Sequence, residues 1–208
     1  MGAAAATVFP ASALSRKEPE FSGSVLGGIP RGTLTEITGP ACSGRTSLLC
    51  ALLAEATEGG EFCALIDAND TFDPVSAAGA GVGLSQLLWV RCGGNAEHAI
   101  KAADLLAQAG GFGMVAIDLA DLPVSAVRRI PLASWYRLRQ AVENTRTALV
   151  SVGACNHASS CPALKIELER KSVVWRGREP VRLLEGFEGV AARVRNHRSA
   201  TRDFSVLR

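Results

Sequence analysis

The run Thr33-Leu34-Thr35-Glu36-Ile37-Thr38-Gly39-Pro40-Ala41-Cys42-Ser43-Gly44-Arg45-Thr46-Ser47 decides the fold. Its first six residues alternate and are rich in β-branched types, so they read as a strand. The remainder follows G-x-x-x-x-G-R-T, a phosphate-binding loop in which Arg45 stands where Lys is usual. Beyond it, Thr46 to Ala56 carry Leu48, Leu49, Leu52 and Leu53 at helical spacing. Strand, Gly-rich loop and helix are the setting such a loop requires. Its backbone N–H groups form a nest for phosphate oxygens, and the helix N-terminus adds favourable partial charge. Gly39, Pro40, Ala41, Cys42, Ser43, Gly44, Arg45, Thr46 and Ser47 are therefore the candidate nucleotide-binding residues, with ATP the expected ligand. The Thr46 hydroxyl falls where a Mg²⁺ ligand is expected. Arg45 keeps the positive charge of Lys but presents it as a larger planar fork, and that exchange is not conservative where geometry matters. Two readings stay open: nucleotide binding with impaired hydrolysis, or a loop that keeps the fold's shape and binds nothing.

The chain has 208 residues, 48% hydrophobic and 20% charged, which suits one substantial globular domain. No apolar run approaches the ~20 residues that span a bilayer. Met1 to Val8 is Ala-rich but lacks the basic start and long apolar stretch of a secretory signal, so a cytoplasmic protein is expected. The six cysteines form no C-x-x-C pair. Cys155, His157 and Cys161 lack a fourth ligand and match no common zinc spacing, so free thiols in a reducing compartment are the better reading. Charge is uneven. From Lys165 to Arg208 there are 11 Lys/Arg against 6 Asp/Glu, although the whole chain carries only +2. A basic carboxy-terminal region can attract DNA. No interleaving of aromatic and basic residues, as single-strand stacking would need, is evident there.

In order along the chain, residues 1–23 lack periodicity and read as an irregular arm, with one core domain expected over 24–208. Phe62 to Asp67 is a near-continuous apolar run, as in a strand buried on both faces of a parallel sheet. Asp73-Pro74 opens a short helix, and Leu87 to Val90 reads as a third strand. Asn95 caps a helix reaching about Ala109. Met114-Val115-Ala116-Ile117-Asp118 is a fourth strand with an acid at its tip, the pattern that holds a carboxylate near phosphate-bound Mg²⁺. Thr46 and Asp118 are thus the candidate metal ligands. Arg128 to Asn144 reads as one helix with Ile130, Leu132, Trp135, Leu138 and Val142 as core positions. Ala148 to Val152 is a fifth strand. Lys165 to Glu169, Ser172 to Trp175 and Gly189 to Arg195 then alternate without an intervening helix, an antiparallel extension at the sheet edge. The expected architecture is α/β: a mainly parallel central sheet flanked by helices, with that antiparallel carboxy-terminal extension.

Leu26 to Ile37, the loop, and Leu65-Ile66-Asp67-Ala68-Asn69-Asp70-Thr71-Phe72-Asp73-Pro74 together resemble the ATPase core of bacterial RecA recombinases. Val115 to Asp118 resembles the family's acidic strand, and Val190 to Arg198 with Phe204 resembles its closing strands. The likeness runs from about Ser24 to Leu207. It implies a RecA-like phosphate-loop core and adds Asp73 to the nucleotide-binding set. It also exposes departures. The water-activating Glu of the family falls at Asn69, which cannot accept a proton as a base. Asp70 follows it and would point to the other face of a continuing strand. The adenine-stacking Tyr falls at Ser76, and the γ-phosphate-sensing Gln falls near Ala154. The DNA-binding loop after Asp118 is shortened, and neither the amino-terminal polymerisation helix nor the carboxy-terminal domain is expected. No residue is assigned a catalytic role, and efficient ATP hydrolysis is not expected.

This pattern of loss is similar to that of the ImuA group, accessories in damage-induced mutagenesis (the SOS response and translesion synthesis). The resemblance implies an adaptor in DNA repair whose partners are an ImuB-like protein, a damage-tolerance polymerase, or RecA itself. The alternatives are a slow DNA-dependent ATPase and a regulator of RecA filaments.

Overall fold

The computed structural model describes residues 21–22, 25–178, 181–195 and 198–207. Apart from Phe21 and Ser22, the expected amino-terminal arm lies outside the described residues. Those two form β1 (Phe21–Ser22), paired antiparallel with β2 (Ile29–Pro30).

A mixed eight-stranded sheet organises the rest. Its strands are β3 (Thr33–Thr38), β4 (Cys63–Asp67), β5 (Leu87–Arg91), β6 (Met114–Asp118), β7 (Ala148–Gly153), β8 (Leu164–Arg178), β9 (Val181–Arg195) and β10 (Arg198–Leu207). Their order is β10-β9-β8-β3-β7-β6-β4-β5. The six strands from β8 to β5 are mutually parallel, and β9 and β10 are added antiparallel. The helices are α1 (Arg45–Glu58), α2 (Pro74–Gly79), α3 (Ala96–Ala109), α4 (Val124–Val127) and α5 (Leu132–Val142). This is the α/β fold with an antiparallel extension that the sequence pattern describes.

The apolar runs are continuous because both faces of the sheet are covered. Alternate residues serve opposite layers. Ile37, Leu65, Ala116 and Val150 pack with Leu49, Leu52 and Leu53 of α1. Leu34, Ala64, Ile66, Val115 and Leu149 pack with Ala99, Ala103, Trp135 and Leu138 of α3 and α5. Full burial of each such Leu or Ile contributes about 1.5–3 kcal/mol.

Two readings are corrected. The helix expected over 128–144 is shorter: α5 starts only after Pro131 and ends at Val142, while the separate α4 has already stopped at Val127. The residue before a proline is disfavoured in the α region, which breaks the helix there. Leu132, expected in the core, opens α5 on its outer side and is 42% exposed. The three alternating carboxy-terminal segments are, in turn, parts of longer strands. β8 and β9 run 15 residues each, with register shifts at Arg170/Ser172 and Val174/Trp175 that disturb the alternation. Only Leu164 to Glu167 of β8 pair with β3. Beyond that point β8, β9 and β10 form a ribbon that continues past the end of β3, beside the phosphate loop.

Candidate functional site

β3 delivers the chain to the loop at Thr38, and α1 begins at Arg45. Between them Ser43 N–H donates to the Pro40 carbonyl at 3.2 Å, closing the turn. Gly44 sits at φ 95°, a left-handed conformation that favours glycine. It precedes α1 with no side-chain cap, so the first N–H groups of the helix lack intrahelical partners. Ser43 is fully buried and Arg45 is 7% exposed. The Ser43 Oγ and the Arg45 Nη1 have no hydrogen-bond partner among the described residues. Two buried polar groups left open beneath a nest of N–H donors fit a phosphate, which would satisfy both. Cys42 and Thr46 are exposed and Ser47 is half-buried.

The acidic residues stand at the tips of neighbouring strands. Asp67 of β4 lies opposite Asp118 of β6 in the parallel register. Asp67 is 1% exposed and accepts three hydrogen bonds: Thr71 N–H donates to Oδ1 at 3.1 Å, and Phe72 N–H and Trp89 Nε1 donate to Oδ2 at 2.9 and 3.2 Å. It anchors the turn after β4. Asp118 accepts one such bond, from Ala120 N–H to Oδ1 at 2.9 Å, which leaves its second oxygen open. Burial pushes its carboxyl up from 3.8 to about 6, with the Arg45 charge a smaller opposing influence.

Asn69 is half-buried just past the end of β4. The strand does not continue to Asp70, which adopts φ 58° instead. Asp70 accepts from Gly93 N–H at 3.2 Å and pairs with Arg91 at 3.1 Å. Asp73 caps α2, accepting from Val75 N–H, Ser76 N–H and the Ser76 hydroxyl; the last of these holds its carboxyl below the usual range. Ala154 follows β7 and lines a cleft of about 490 Å³ with Gly39, Pro40, Asn156 and Glu167.

Sequence reasoning missed a buried cluster around Glu36. This carboxylate sits within β3 with its side chain 0% exposed. Its Oε1 accepts from His157 N–H at 2.7 Å and Ala158 N–H at 2.8 Å, while Lys165 Nζ lies 3.4 Å from Oε2. The His157 ring is bracketed by the Cys155 carbonyl and the Ser151 Oγ, at 2.8 and 3.1 Å. Burial lowers its pKa. The strand that leads into the phosphate loop thereby holds the segment joining β7 to β8. A Glu inside an otherwise apolar and β-branched strand was the available signal.

Fold and loop define a phosphate-loop protein of the α/β class. The profile of the RecA N-terminal domain matches residues 21–127, just over half of the chain, and the chain belongs to that family. It is 43% identical to Protein RecA of Deinococcus radiodurans over 93 residues, 45% of this chain and 25% of that one. It is 42% identical to Protein RecA of Rickettsia massiliae over 136 residues, 62% of this chain and 39% of that one. With Protein RecA of Herpetosiphon aurantiacus the identity is 33% over 141 residues, 61% of this chain and 39% of the relative. The chain spans well under half the length of these curated relatives. Among the described residues no helix is long and apolar enough to cross a membrane.

Proposed function

We propose that this RecA-like chain is an adaptor in DNA repair and damage-induced mutagenesis, holding ATP as a structural or signalling ligand with little or no hydrolysis. The carrying observation is the fate of the carboxylates around Asn69. The residue in the base position is an amide. Asp67 already accepts hydrogen bonds from three donors, and Asp70 accepts from Gly93 N–H and is paired with Arg91. General-base catalysis needs an acceptor held for the attacking water, and both neighbours are engaged in structural contacts instead. The open Ser43 Oγ and Arg45 Nη1 support retention of phosphate binding. The Thr46 hydroxyl and the second oxygen of Asp118 are the oxygen donors for Mg²⁺ in this reading.

The partners follow from the resemblance: an ImuB-like protein or damage-tolerance polymerase, with RecA a further candidate. DNA contact through the carboxy-terminal region is supported by the ribbon, where Trp175 is 53% exposed next to Arg176.

Calorimetric titration with Mg-ATP, followed by phosphate release on the same sample, tests the reading. Binding without release supports the adaptor. Release abolished by Asp118→Ala would instead establish a slow ATPase, the reading that the intact Asp118 favours. Failure to bind an ImuB-like protein, the polymerase or RecA would remove the adaptor role.

A further inference from the structure

The phosphate loop has an aromatic neighbour that neither its motif nor its strand supplies. Phe187 of β9 and Phe204 of β10 are diagonal neighbours on one face of the ribbon, since Phe187 pairs with Val206 and Phe204 with Gly189. Their rings meet edge to face, centroids 6.1 Å apart at 88°. Both reach Gly44. A β-carbon placed there would lie 2.9 Å from the Phe187 Cζ and 3.2 Å from the Phe204 Cε2. The two rings differ in what they are fixed to. Phe204 packs onto the core formed by the sheet and α1, whereas Phe187 stands outside that core and is half-buried. One ring is the anchor. The other is held in place by it, with its tip on the loop and part of its surface open.

We propose that Phe187 is a stacking platform for the nucleobase of a nucleotide whose phosphates occupy the Gly39–Ser47 loop. This rests on the nucleotide reading above and specifies its base subsite. A nucleotide presents an anion at one end and a flat π-face at the other. The loop answers the first with its N–H groups, Ser43 and Arg45. A ring that starts at Gly44 and extends away from it toward the β9 backbone answers the second. Contact with Phe204 orients the ring before any ligand arrives, so little rotamer freedom is lost on stacking. Stacking on a phenyl face is tolerant of base identity, because every base has a π-face. The site should therefore discriminate nucleotides from inorganic polyphosphate more strongly than it discriminates ATP from GTP.

The test compares ATP with inorganic tripolyphosphate on the intact chain by calorimetry, for wild type, Phe187→Leu and Phe187→Trp. Wild type should bind ATP more tightly than tripolyphosphate. Phe187→Leu should weaken ATP by about 5-fold to 100-fold and leave tripolyphosphate unchanged, and Phe187→Trp should restore ATP. A thermal melt of each variant accompanies the titrations, and Phe204 remains in all of them to hold the ribbon. Equal wild-type affinities for the two ligands would overturn the platform, as would a Leu variant that weakens both ligands alike or tightens ATP. In those cases the nucleotide reading stands. Failure of wild type to bind either ligand would remove the nucleotide reading, and the platform with it.

Discussion

Replacing Glu36 tests how far the phosphate-loop strand depends on the β7–β8 segment. Its carboxylate is wholly buried and accepts two backbone N–H groups, from His157 and Ala158, at 2.7 and 2.8 Å. In Glu36→Ala both donors lose their acceptor in a place water does not reach. Each stranded donor costs about 1–3 kcal/mol. Relief from desolvating the carboxylate offsets part of the loss, but Lys165 is left facing a vacated position 3.4 Å from where Oε2 stood. The net expectation is about 3–5 kcal/mol. In a domain of this size that lowers the melting temperature by about 10 °C. Glu36→Gln keeps an acceptor oxygen and should cost only about 1–2 kcal/mol. Urea unfolding followed by circular dichroism gives the energies. Amide hydrogen exchange at His157 and Ala158 gives the local effect, which should be loss of protection in the Ala variant and retention in the Gln variant. A Glu36→Ala protein within 1 kcal/mol of wild type, or one that keeps both amides protected, would refute the reasoning.

Asp118 provides a pH signature. Burial raises its carboxyl to about 6, so the folded protein holds that proton more tightly than the unfolded chain, and the associated stability is whole below pH 3.8 and lost as pH rises through about 6. Thermal melts from pH 4 to 7 should show wild type losing about 2–3 kcal/mol relative to Asp118→Asn. Gly44→Ala combines a left-handed φ of 95° with a contact 2.9 Å from the Phe187 ring, and should destabilise by about 1–3 kcal/mol; a melting temperature equal to wild type would contradict this. Asp67→Ala should cost about 3 kcal/mol by stranding three donors, measured by urea unfolding. Arg45→Lys combined with Asn69→Glu should raise phosphate release above the wild-type rate, and an unchanged rate would show that the two positions do not limit hydrolysis.

The parallel sheet was legible because its strands are short, apolar on both faces and punctuated by turn residues. The phosphate loop was legible because its glycines have fixed spacing. Asn95 and Asp73 announced their helices as caps, and both do accept the expected N–H groups. Leu132 misled because one apolar residue fits a helical period equally well inside or out, and only Pro131 decides where the turn begins. The bulges of β8 hid a single long strand, since an extra residue inverts the alternation that identifies strands. Glu36 and Phe187 could not be placed from sequence. Their roles come from partners 121 and 143 residues away in the chain, the first being His157 and the second Gly44.

The position of β3 has a consequence for the order in which this protein is made. β3 is the first strand of the large sheet to be synthesised, but its neighbours are β7 and β8, which begin at Ala148 and Leu164. The strands that arrive in between, β4, β5 and β6, pair among themselves. The segment matched by the family profile ends at residue 127, so it contains the phosphate loop but neither of the strands that hold the loop's own strand in register. On a ribosome adding about 5–20 residues per second, Thr38 waits about 5–20 s for a partner. The loop can take its shape only after β7 closes the gap between β3 and β6. A messenger truncated anywhere before that point would yield a chain that carries the phosphate-loop motif without the phosphate loop.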